Sequence, residues 1–262
     1  MRLTREVRLS VVPEPVASAT TVRNGWAGWP PAVGIVPYLI CRVTIEGEPD
    51  PTTGYLCDIR EIDARVRAIA VEAAGRAVAE RQSPEQLLLH VHDRLDASST
   101  GPGRIARLTL ATTPFLEYAV DHGDARMTYV TQSFEFSAAH RLHCASLSDE
   151  ENRTVFGKCN NPSGHGHNYR LDVTVAAAVD DDNPLVIGVG ELEAIVKQCV
   201  IDRLDHKHLN LDCPEFAERV PSIENIAAVI WDLVDGRFGR AHLHRVRAWE
   251  TPKTYVDYFG QG

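Results

Sequence analysis

Three histidines of the C-terminal half lie in two short segments that suit a metal site. His140 ends the segment Phe136–His140, and about 25 residues later His165 and His167 alternate within Gly164–Asn168. Residues two apart in an extended chain point the same way, so His165 and His167 can reach one ion, and His140 on a neighbouring strand would supply a third nitrogen. Three neutral imidazoles suit Zn²⁺ and leave a position open for water or substrate, the pattern of a catalytic zinc site. The alternative is a pair of exposed turn histidines.

Cys159 is the cysteine with the strongest case for chemistry. It lies in the polar loop Val155–Ser163, directly after Lys158 and six residues before His165. A thiol beside a cation and a metal can act as a thiolate nucleophile or as a base. The alternative, an inert buried thiol, is the interpretation we favour for Cys199, whose neighbours have helical spacing.

Further candidates lie nearer the C-terminus. Asp205 and His206 are adjacent, and a turn would let the carboxylate orient the imidazole. His208 is two residues farther on and is interpreted as peripheral. Glu250 follows Trp249 and is either an ordinary exposed carboxylate or a fixed anion that pairs with two N–H donors of a heterocycle. Spacing alone leaves both interpretations open.

Composition excludes several classes of protein. The 262 residues carry 27 Lys and Arg against 36 Asp and Glu, a net charge of -9, and no basic run could track a nucleic-acid backbone. No apolar stretch approaches the ~20 residues that span a bilayer, and the first residues lack the apolar core of a secretory signal. We therefore expect a cytoplasmic protein that binds neither membrane nor nucleic acid, with its six cysteines as thiols.

The elements that must position these residues occur twice along the chain. The matching segments are Arg107–Pro114 with Arg245–Pro252, Ser83–Gln86 with Ser222–Asn225, and Tyr38–Ile45 with Tyr169–Val175. Each half is predicted to run strand, long insertion, strand, turn, strand, helix, helix, strand, strand. The prediction is an α+β chain of two tandem modules, 1–122 and 126–262, divided near Asp121–Asp124, each an antiparallel four-stranded sheet backed by two helices.

Local patterns of the second half agree with this order. The predicted elements are strands over Thr128–Phe136 and Tyr169–Val179, a helix over Gly190–Leu204, a second helix with Ser222 as its N-cap, and a hairpin of Arg245–Trp249 with Thr254–Phe259. Exposed edges of a four-stranded sheet favour pairing with further copies. A homo-oligomer is therefore expected.

Five segments, in order and with matching spacings, resemble the 6-pyruvoyl-tetrahydropterin synthase family over roughly residues 128 to 262. They are Phe136–Leu142, Leu147–Arg153, Phe156–Tyr169, Leu204–Asp212 and Ile223–Asn225. The stretch from Cys159 to His167 is the most specific of them. The resemblance implies a tunnelling fold (T-fold) whose sheets close into a β-barrel on oligomerisation, with active sites at subunit interfaces. Three modules to a ring would make the assembly a trimer or a multiple of it.

The resemblance also implies the chemistry. His140, His165 and His167 would bind the zinc that holds the side chain of 7,8-dihydroneopterin triphosphate. Cys159 would be the general base, with Asp205 and His206 as its relay. The implied reaction eliminates triphosphate and moves protons along the side chain to give 6-pyruvoyl-tetrahydropterin, with no external oxidant.

Substrate contacts follow from the same resemblance. Glu250 would anchor the pterin ring, and Ser222 and Glu224 would lie at the substrate. Lys158 and Arg141 are hypothesised to supply positive charge near the triphosphate. Ser222-Ile223 replaces the usual Thr-Thr of the family, and Gly188 or its neighbour replaces an Asp or Asn. Both departures bear on substrate choice more than on zinc binding.

The first module resembles a degenerate copy. Gly34–Pro37 stands where Gly164–His167 would be, and Thr112 stands in place of Glu250. This module is predicted to bind no catalytic zinc and to complete the barrel or cover the site. Two alternatives to the lyase remain: a 6-carboxy-tetrahydropterin synthase of queuosine biosynthesis, and a zinc- or pterin-binding scaffold without turnover. The six-residue interval between Cys159 and His165 favours the first interpretation over the carboxy synthase, whose interval is usually shorter.

Overall fold

Each half of the chain contributes four main strands and is accompanied by helices. A computed structural model describes residues 1–12, 24–32, 34–97, 103–123 and 126–260. The chain divides into one unit of Met1–Val130 with Ala177–Val186 and a second of Thr131–Ala176 with Ile187–Gly262. Asp124, at the predicted boundary, lies outside the described residues. None of the helices in the described ranges is long and apolar enough to cross a membrane.

In the first unit, the sheet has the order β1-β2-β3-β4 and two helices separate β2 from β3. The elements are β1 (Arg2–Ser10), β2 (Tyr38–Glu46), α1 (Ile59–Glu80), α2 (Pro84–Ala97), β3 (Arg104–Thr113) and β4 (Leu116–Asp121). Alternate apolar residues of the strands are buried, such as Val7 and Leu9 in β1 and Cys41 and Val43 in β2. That period of two places one face of the sheet in the core.

In the second unit, the main sheet has the order β5-β6-β8-β9, and the two-residue β7 pairs parallel with β5. Its strands are β5 (Met127–His140), β6 (His165–Ala178), β7 (Lys207–His208), β8 (His242–Thr251) and β9 (Thr254–Tyr258). Its helices are α3 (Asp149–Phe156), α4 (Val189–Val196), α5 (Asp202–Leu204), α6 (Leu209–Asp212) and α7 (Ile223–Val234), with a π-helical stretch at Lys197–Ile201 and 3₁₀ turns at Gly157–Asn160 and Pro214–Phe216. The helix expected over Gly190–Leu204 is therefore α4, the π-helical stretch and α5 in succession.

The internal repeat is visible in the strand registers. The β2–β3 pairing slips between Thr44 and Ile45, and the β6–β8 pairing slips between Thr174 and Val175. A second slip precedes the turn of each closing hairpin, at Thr113 and at Thr251. The two modules thus share not only the order of their elements but also the places where their ladders are irregular.

The same registers give the offset between the two modules. Thr44 pairs with Arg107 as Thr174 pairs with Arg245, so residues of β2 correspond to residues 130 positions later. The predicted match of Gly34–Pro37 with Gly164–His167 has this offset, and so do the ends of the two matched segments Tyr38–Ile45 and Tyr169–Val175.

The predicted order of elements also contained one strand too many in each half. Residues 47–58 and 179–188 connect the second strand of each module to its first helix, and both connections are described in full. They form turns and irregular chain without a strand, because Asp50–Gly54 and Asp180–Pro184 consist of turn-forming residues. Each sheet has four main strands, as the predicted fold class requires.

Candidate metal centre and catalytic residues

The rings of His140, His165 and His167 converge between two neighbouring strands. His140 is the last residue of β5, and the other two open β6 on the same face. One ligand nitrogen from each ring lies within 4.8 Å of those of the other two, and the Nε2 atoms of His140 and His165 are 3.1 Å apart. The structure thus brings together the three residues that the sequence analysis selected as metal ligands.

The tautomer of His140 is set by a partner from a distant part of the chain. Its Nδ1 lies 2.7 Å from the carbonyl oxygen of Pro221 and 3.3 Å from the hydroxyl of Tyr169. A carbonyl can only accept a hydrogen bond, so Nδ1 carries the proton and Nε2 presents its lone pair to the other histidines. The ring is completely buried, and burial lowers the pKa of His140 to about 4, so the imidazole is neutral near neutral pH.

These donors fit a divalent metal such as zinc. Burial also lowers the pKa of His165, which favours its neutral form. Nδ1 of His165 and Nε2 of His167 are buried and have no hydrogen-bond partner in the described chain. Buried polar atoms without partners are costly, and unprotonated Nε2 atoms 3.1 Å apart repel one another unless a cation or a proton lies between them. A metal ion bound by the three rings would remove the repulsion and would give Nε2 of His167 a partner.

Glu250 brings a carboxylate to the same place. Its Oε1 lies 3.4 Å from Nε2 of His140 and 3.7 Å from Nε2 of His167. β8 pairs with β6, and this pairing carries Glu250 to the histidines, about 80 residues earlier in the chain. The carboxylate is four-fifths buried, which agrees with a fixed anion rather than an ordinary surface group.

Cys159 lies on the 3₁₀ turn that precedes β6. Its backbone carbonyl accepts a hydrogen bond from the amide of Leu142, which ties the turn to the residues that follow His140. Tyr169 contacts His140 and His167, and its pKa is raised by burial first and then by the negative charge of Glu250.

The segment 144–148 that leads into α3 is held from within by Asn152. This side chain is fully buried on α3, and its amide nitrogen donates to the carbonyls of Cys144, Leu147 and Ser148 while its oxygen accepts from the amide of Cys144. The turn that carries Cys159 is held by Asn160, whose buried side-chain amide donates to the carbonyl of Leu142.

Asp205 and His206 form a pair beside β5. Nδ1 of His206 lies 2.8 Å from Oδ2 of Asp205, and Oδ1 of Asp205 accepts from the amide of Ser137. His206 has a φ of 57°, and this left-handed conformation lets adjacent side chains meet. The hydrogen bond from Ser137 is the largest cause that lowers the pKa of Asp205. The imidazole is 83% exposed, and no hydrogen bond or ion pair within the described ranges joins it to Cys159.

The comparison that identifies the family matches the second module of the chain. The family model for 6-pyruvoyl tetrahydropterin synthase matches residues 129–261. The chain belongs to the 6-pyruvoyl tetrahydropterin synthase family. As a member of a family of synthases it is an enzyme, and its second module is a T-fold module.

Individual relatives of the 6-pyruvoyl tetrahydropterin synthase family match about half of this chain. The 6-pyruvoyl tetrahydrobiopterin synthase of Poecilia reticulata is 43% identical over 136 residues, 52% of this chain and 92% of that protein. The Homo sapiens protein of the same name is 42% identical over 132 residues, 50% of this chain and 91% of that protein. The structure of Caenorhabditis elegans 6-pyruvoyl tetrahydropterin synthase shows 36% identity and a TM-score of 0.48, covering 52% of this chain and 96% of its own.

The remaining residues implied by the resemblance to the synthase family have other partners in the structure. The hydroxyl of Ser222 accepts the amide of Asn225 as the N-cap of α7, and Glu224 is exposed in the first turn of that helix. Nε of Arg141 donates to the carbonyl of Asn160, and Lys158 is exposed. As the cap, the hydroxyl of Ser222 accepts one hydrogen bond and keeps its own proton to donate. Whether these four side chains contact substrate stays a prediction.

Two groups of this synthase-family site were missed by the sequence analysis. Tyr169 follows His165 and His167 at the same spacing of two, so the alternation already contained the signal for it. The carbonyl of Pro221 had no such signal, because a backbone oxygen carries no residue type and lies 81 positions from His140.

In the first module, the positions of the synthase-family ligands hold other residues. With the observed shift of 130 positions, Ile35 and Pro37 correspond to His165 and His167, and Thr112 corresponds to Glu250 across the hairpin. Isoleucine and proline side chains offer a metal no donor atom. Within the described part of the chain, the one group with metal-binding geometry is the trio of the second module.

Gly164 lies in a closely packed part of this synthase-family site. A Cβ added there would lie 2.7 Å from Nε2 of His208 and 3.0 Å from the carbonyl oxygen of His140, and its φ is +70°. We expect Gly164→Ala to destabilise the chain by more than the ~1–2 kcal/mol that left-handed backbone costs alone, and to weaken metal binding. Gly54→Ala is the matched control, since Gly54 has a φ of +71° and meets nothing within 4 Å. Equal urea midpoints for the two variants would contradict the prediction.

The buried His140 should make the stability of the metal-free enzyme depend on pH. Its folded pKa of about 4 lies below the ordinary 6.5, so below pH 6.5 the unfolded chain binds the proton first and stability falls as pH falls toward 4. The loss attributable to this residue is up to about 3 kcal/mol. Urea unfolding at pH 7 and pH 5 in the presence of a chelator should show a smaller drop for His140→Gln than for the wild type. If the wild type and His140→Gln lose the same stability between pH 7 and pH 5, the pH dependence does not come from His140.

Proposed function

We propose that the chain is a zinc-dependent lyase that converts 7,8-dihydroneopterin triphosphate to 6-pyruvoyl-tetrahydropterin with elimination of triphosphate. The observation that carries the proposal is the convergence of three histidines with Glu250, on a module that matches the 6-pyruvoyl tetrahydropterin synthase family. The turn that carries Cys159 is hydrogen-bonded to Leu142, two residues after His140.

The histidines would hold the metal through their neutral rings. His140 is orientated by Pro221, and His165 and His167 are placed by the alternation of β6. Bound zinc would supply Lewis-acid chemistry, polarising a hydroxyl or carbonyl of the substrate side chain so that the neighbouring C–H becomes acidic. The remaining coordination position suits a substrate oxygen.

Cys159 is assigned as the base that removes the acidified proton. The turn that carries it is hydrogen-bonded to Leu142, two residues after His140, which supports this role. Asp205 and His206 are assigned as the relay, with the carboxylate fixing the imidazole through Nδ1 and leaving Nε2 to exchange protons. Protons move along the side chain and triphosphate leaves, so the redox change is internal to the substrate.

Glu250 is assigned as the anchor of the pterin ring. A carboxylate with two acceptor oxygens can take two parallel N–H donors of a heterocycle, and its buried position would strengthen those bonds. Glu224 on the first turn of α7 and the positive charges of Lys158 and Arg141 are assigned to the substrate as well. Ser222 is assigned with them, since its hydroxyl accepts one hydrogen bond as the cap of α7 and keeps its own proton to donate.

The exposure of His206 favours an oligomer. An imidazole that must exchange protons but is 83% exposed in the single chain is well placed to serve a site shared with another copy. We propose closure of the sheets into a barrel, with three chains or a multiple. Light scattering should give a trimeric mass or a multiple of it, and a monomer that turns over substrate would exclude the shared site.

Activity is tested most directly with purified full-length chain. After chelation and reloading with Zn²⁺, the protein should release triphosphate from 7,8-dihydroneopterin triphosphate and form 6-pyruvoyl-tetrahydropterin, identified by mass spectrometry. The metal-free protein should do neither. A carboxy product would favour the 6-carboxy-tetrahydropterin synthase instead, and zinc binding without any product would favour the scaffold.

A further inference from the structure

We propose that Ser222 and Asn225 are positioning residues for the metal ligand His140, acting through the carbonyl of Pro221. The inference rests on the proposed metal site and assigns Ser222 a different task from the substrate contact given above. Its evidence is a continuous set of hydrogen bonds between the start of α7 and the ring of His140.

The set begins with the cap of α7. The hydroxyl of Ser222 accepts the amide of Asn225, 3.4 Å away, and the side-chain amide of Asn225 donates to the carbonyl of Val220 at 2.8 Å. The amide of Ser222 donates to the same carbonyl, also at 2.8 Å. Pro221 lies between these anchored residues, and its ring restricts its own φ. Both peptide units that flank Pro221 are thereby held.

The held carbonyl faces the metal ligand. The oxygen of Pro221 accepts the Nδ1 proton of His140 at 2.7 Å, and both residues are buried. Loss of this acceptor would let the imidazole rotate or move its proton to Nε2, the nitrogen that faces His165. Mutation of a group that hydrogen-bonds to a metal ligand, without touching the metal itself, typically lowers metal affinity by ~10–100-fold. The start of α7 therefore acts on the metal without touching it.

The first module supplies a matched control. Ser83 is the N-terminal cap of α2, and its hydroxyl accepts the amide of Gln86 as that of Ser222 accepts the amide of Asn225. The module it belongs to has Ile35 and Pro37 at the metal positions. Replacing Ser83 removes a comparable helix cap, and no metal ligand depends on it.

The test measures Zn²⁺ affinity of the full chain by competition with a chromophoric chelator. We expect Ser222→Ala and Asn225→Ala to lower the affinity at least tenfold, Ser222→Thr to keep it because the hydroxyl remains, and Ser83→Ala to leave it unchanged. Co²⁺-substituted protein should show an altered visible spectrum for the first two variants alone. Unchanged affinity in Ser222→Ala, or an equal loss in Ser83→Ala, would overturn the proposal.

A metal-independent measurement separates this inference from the proposed function. Long-range ¹H–¹⁵N spectra of the metal-free chain should show the Nδ1–H tautomer of His140 in the wild type and in Ser222→Thr, and a mixture of tautomers in Ser222→Ala. If the wild-type chain binds no zinc, the proposed function fails and the tautomer result still decides the positioning role. If zinc binds and the tautomer does not change, the positioning role fails alone.

Discussion

Replacing His167 by alanine is expected to abolish high-affinity zinc binding and, with it, turnover. Nε2 of His167 is buried without a hydrogen-bond partner in the described chain, and the ring is 20% exposed. The variant therefore loses a metal ligand and little that supports the fold. We expect the affinity for Zn²⁺ to fall by more than ~100-fold, because loss of a group that only hydrogen-bonds to a metal ligand can already cost that much. Competition with a chelator and metal analysis of the purified protein measure this.

His122→Ala is the control for that experiment. His122 is an exposed histidine directly after β4 and is not among the three histidines that converge, so its loss should change neither metal content nor activity. Circular dichroism should be the same for both variants and the wild type. A His167→Ala protein that retains one tightly bound zinc per chain would show that the three rings are not the ligand set.

Replacing Cys159 by alanine is expected to remove turnover while leaving the metal in place. A positioned general base typically contributes ~10²–10⁴-fold to the rate, and the loss of kcat should fall in that range. The thiol makes no side-chain hydrogen bond within the described ranges, so zinc affinity and stability should be close to wild type. Triphosphate release and zinc content, measured on the same preparation, separate the two effects.

Cys199→Ala serves as the thiol control for this prediction. Cys199 is a half-buried free cysteine in the π-helical stretch, and it carries no assigned role. Its replacement should leave kcat unchanged. If Cys159→Ala turns over substrate at the wild-type rate, another group is the base; if neither variant nor wild type reacts, the scaffold interpretation takes precedence.

The arrangement of the site explains why the two predictions differ in what they change. The metal ligands belong to neighbouring strand ends, whereas Cys159 belongs to a turn that is hydrogen-bonded to Leu142, just after His140. Replacing the thiol alone removes none of these backbone and asparagine hydrogen bonds. The two substitutions therefore change different groups of the same region, the metal ligand in one case and the base in the other.

Sequence alone determined the parts of this site that follow from short-range geometry. The alternation of β6 placed His165 and His167 on one face, and the serine before an apolar helical pattern predicted the cap at Ser222. The internal repeat predicted two modules of the same order. The additional strand that it predicted in each half was wrong, because the turn-forming residues of Asp50–Gly54 and Asp180–Pro184 do not form a strand.

Tertiary structure alone decided which distant groups complete the site. The carbonyl of Pro221 that sets the tautomer of His140, and the carboxylate of Glu250 beside the same ring, come from segments more than 80 residues away in the chain. The left-handed turn that joins His206 to Asp205 is stabilised by hydrogen bonds to β5. Spacing in the sequence reports which residues share one element, and only the pairing and packing of elements bring groups from different elements within a few ångströms.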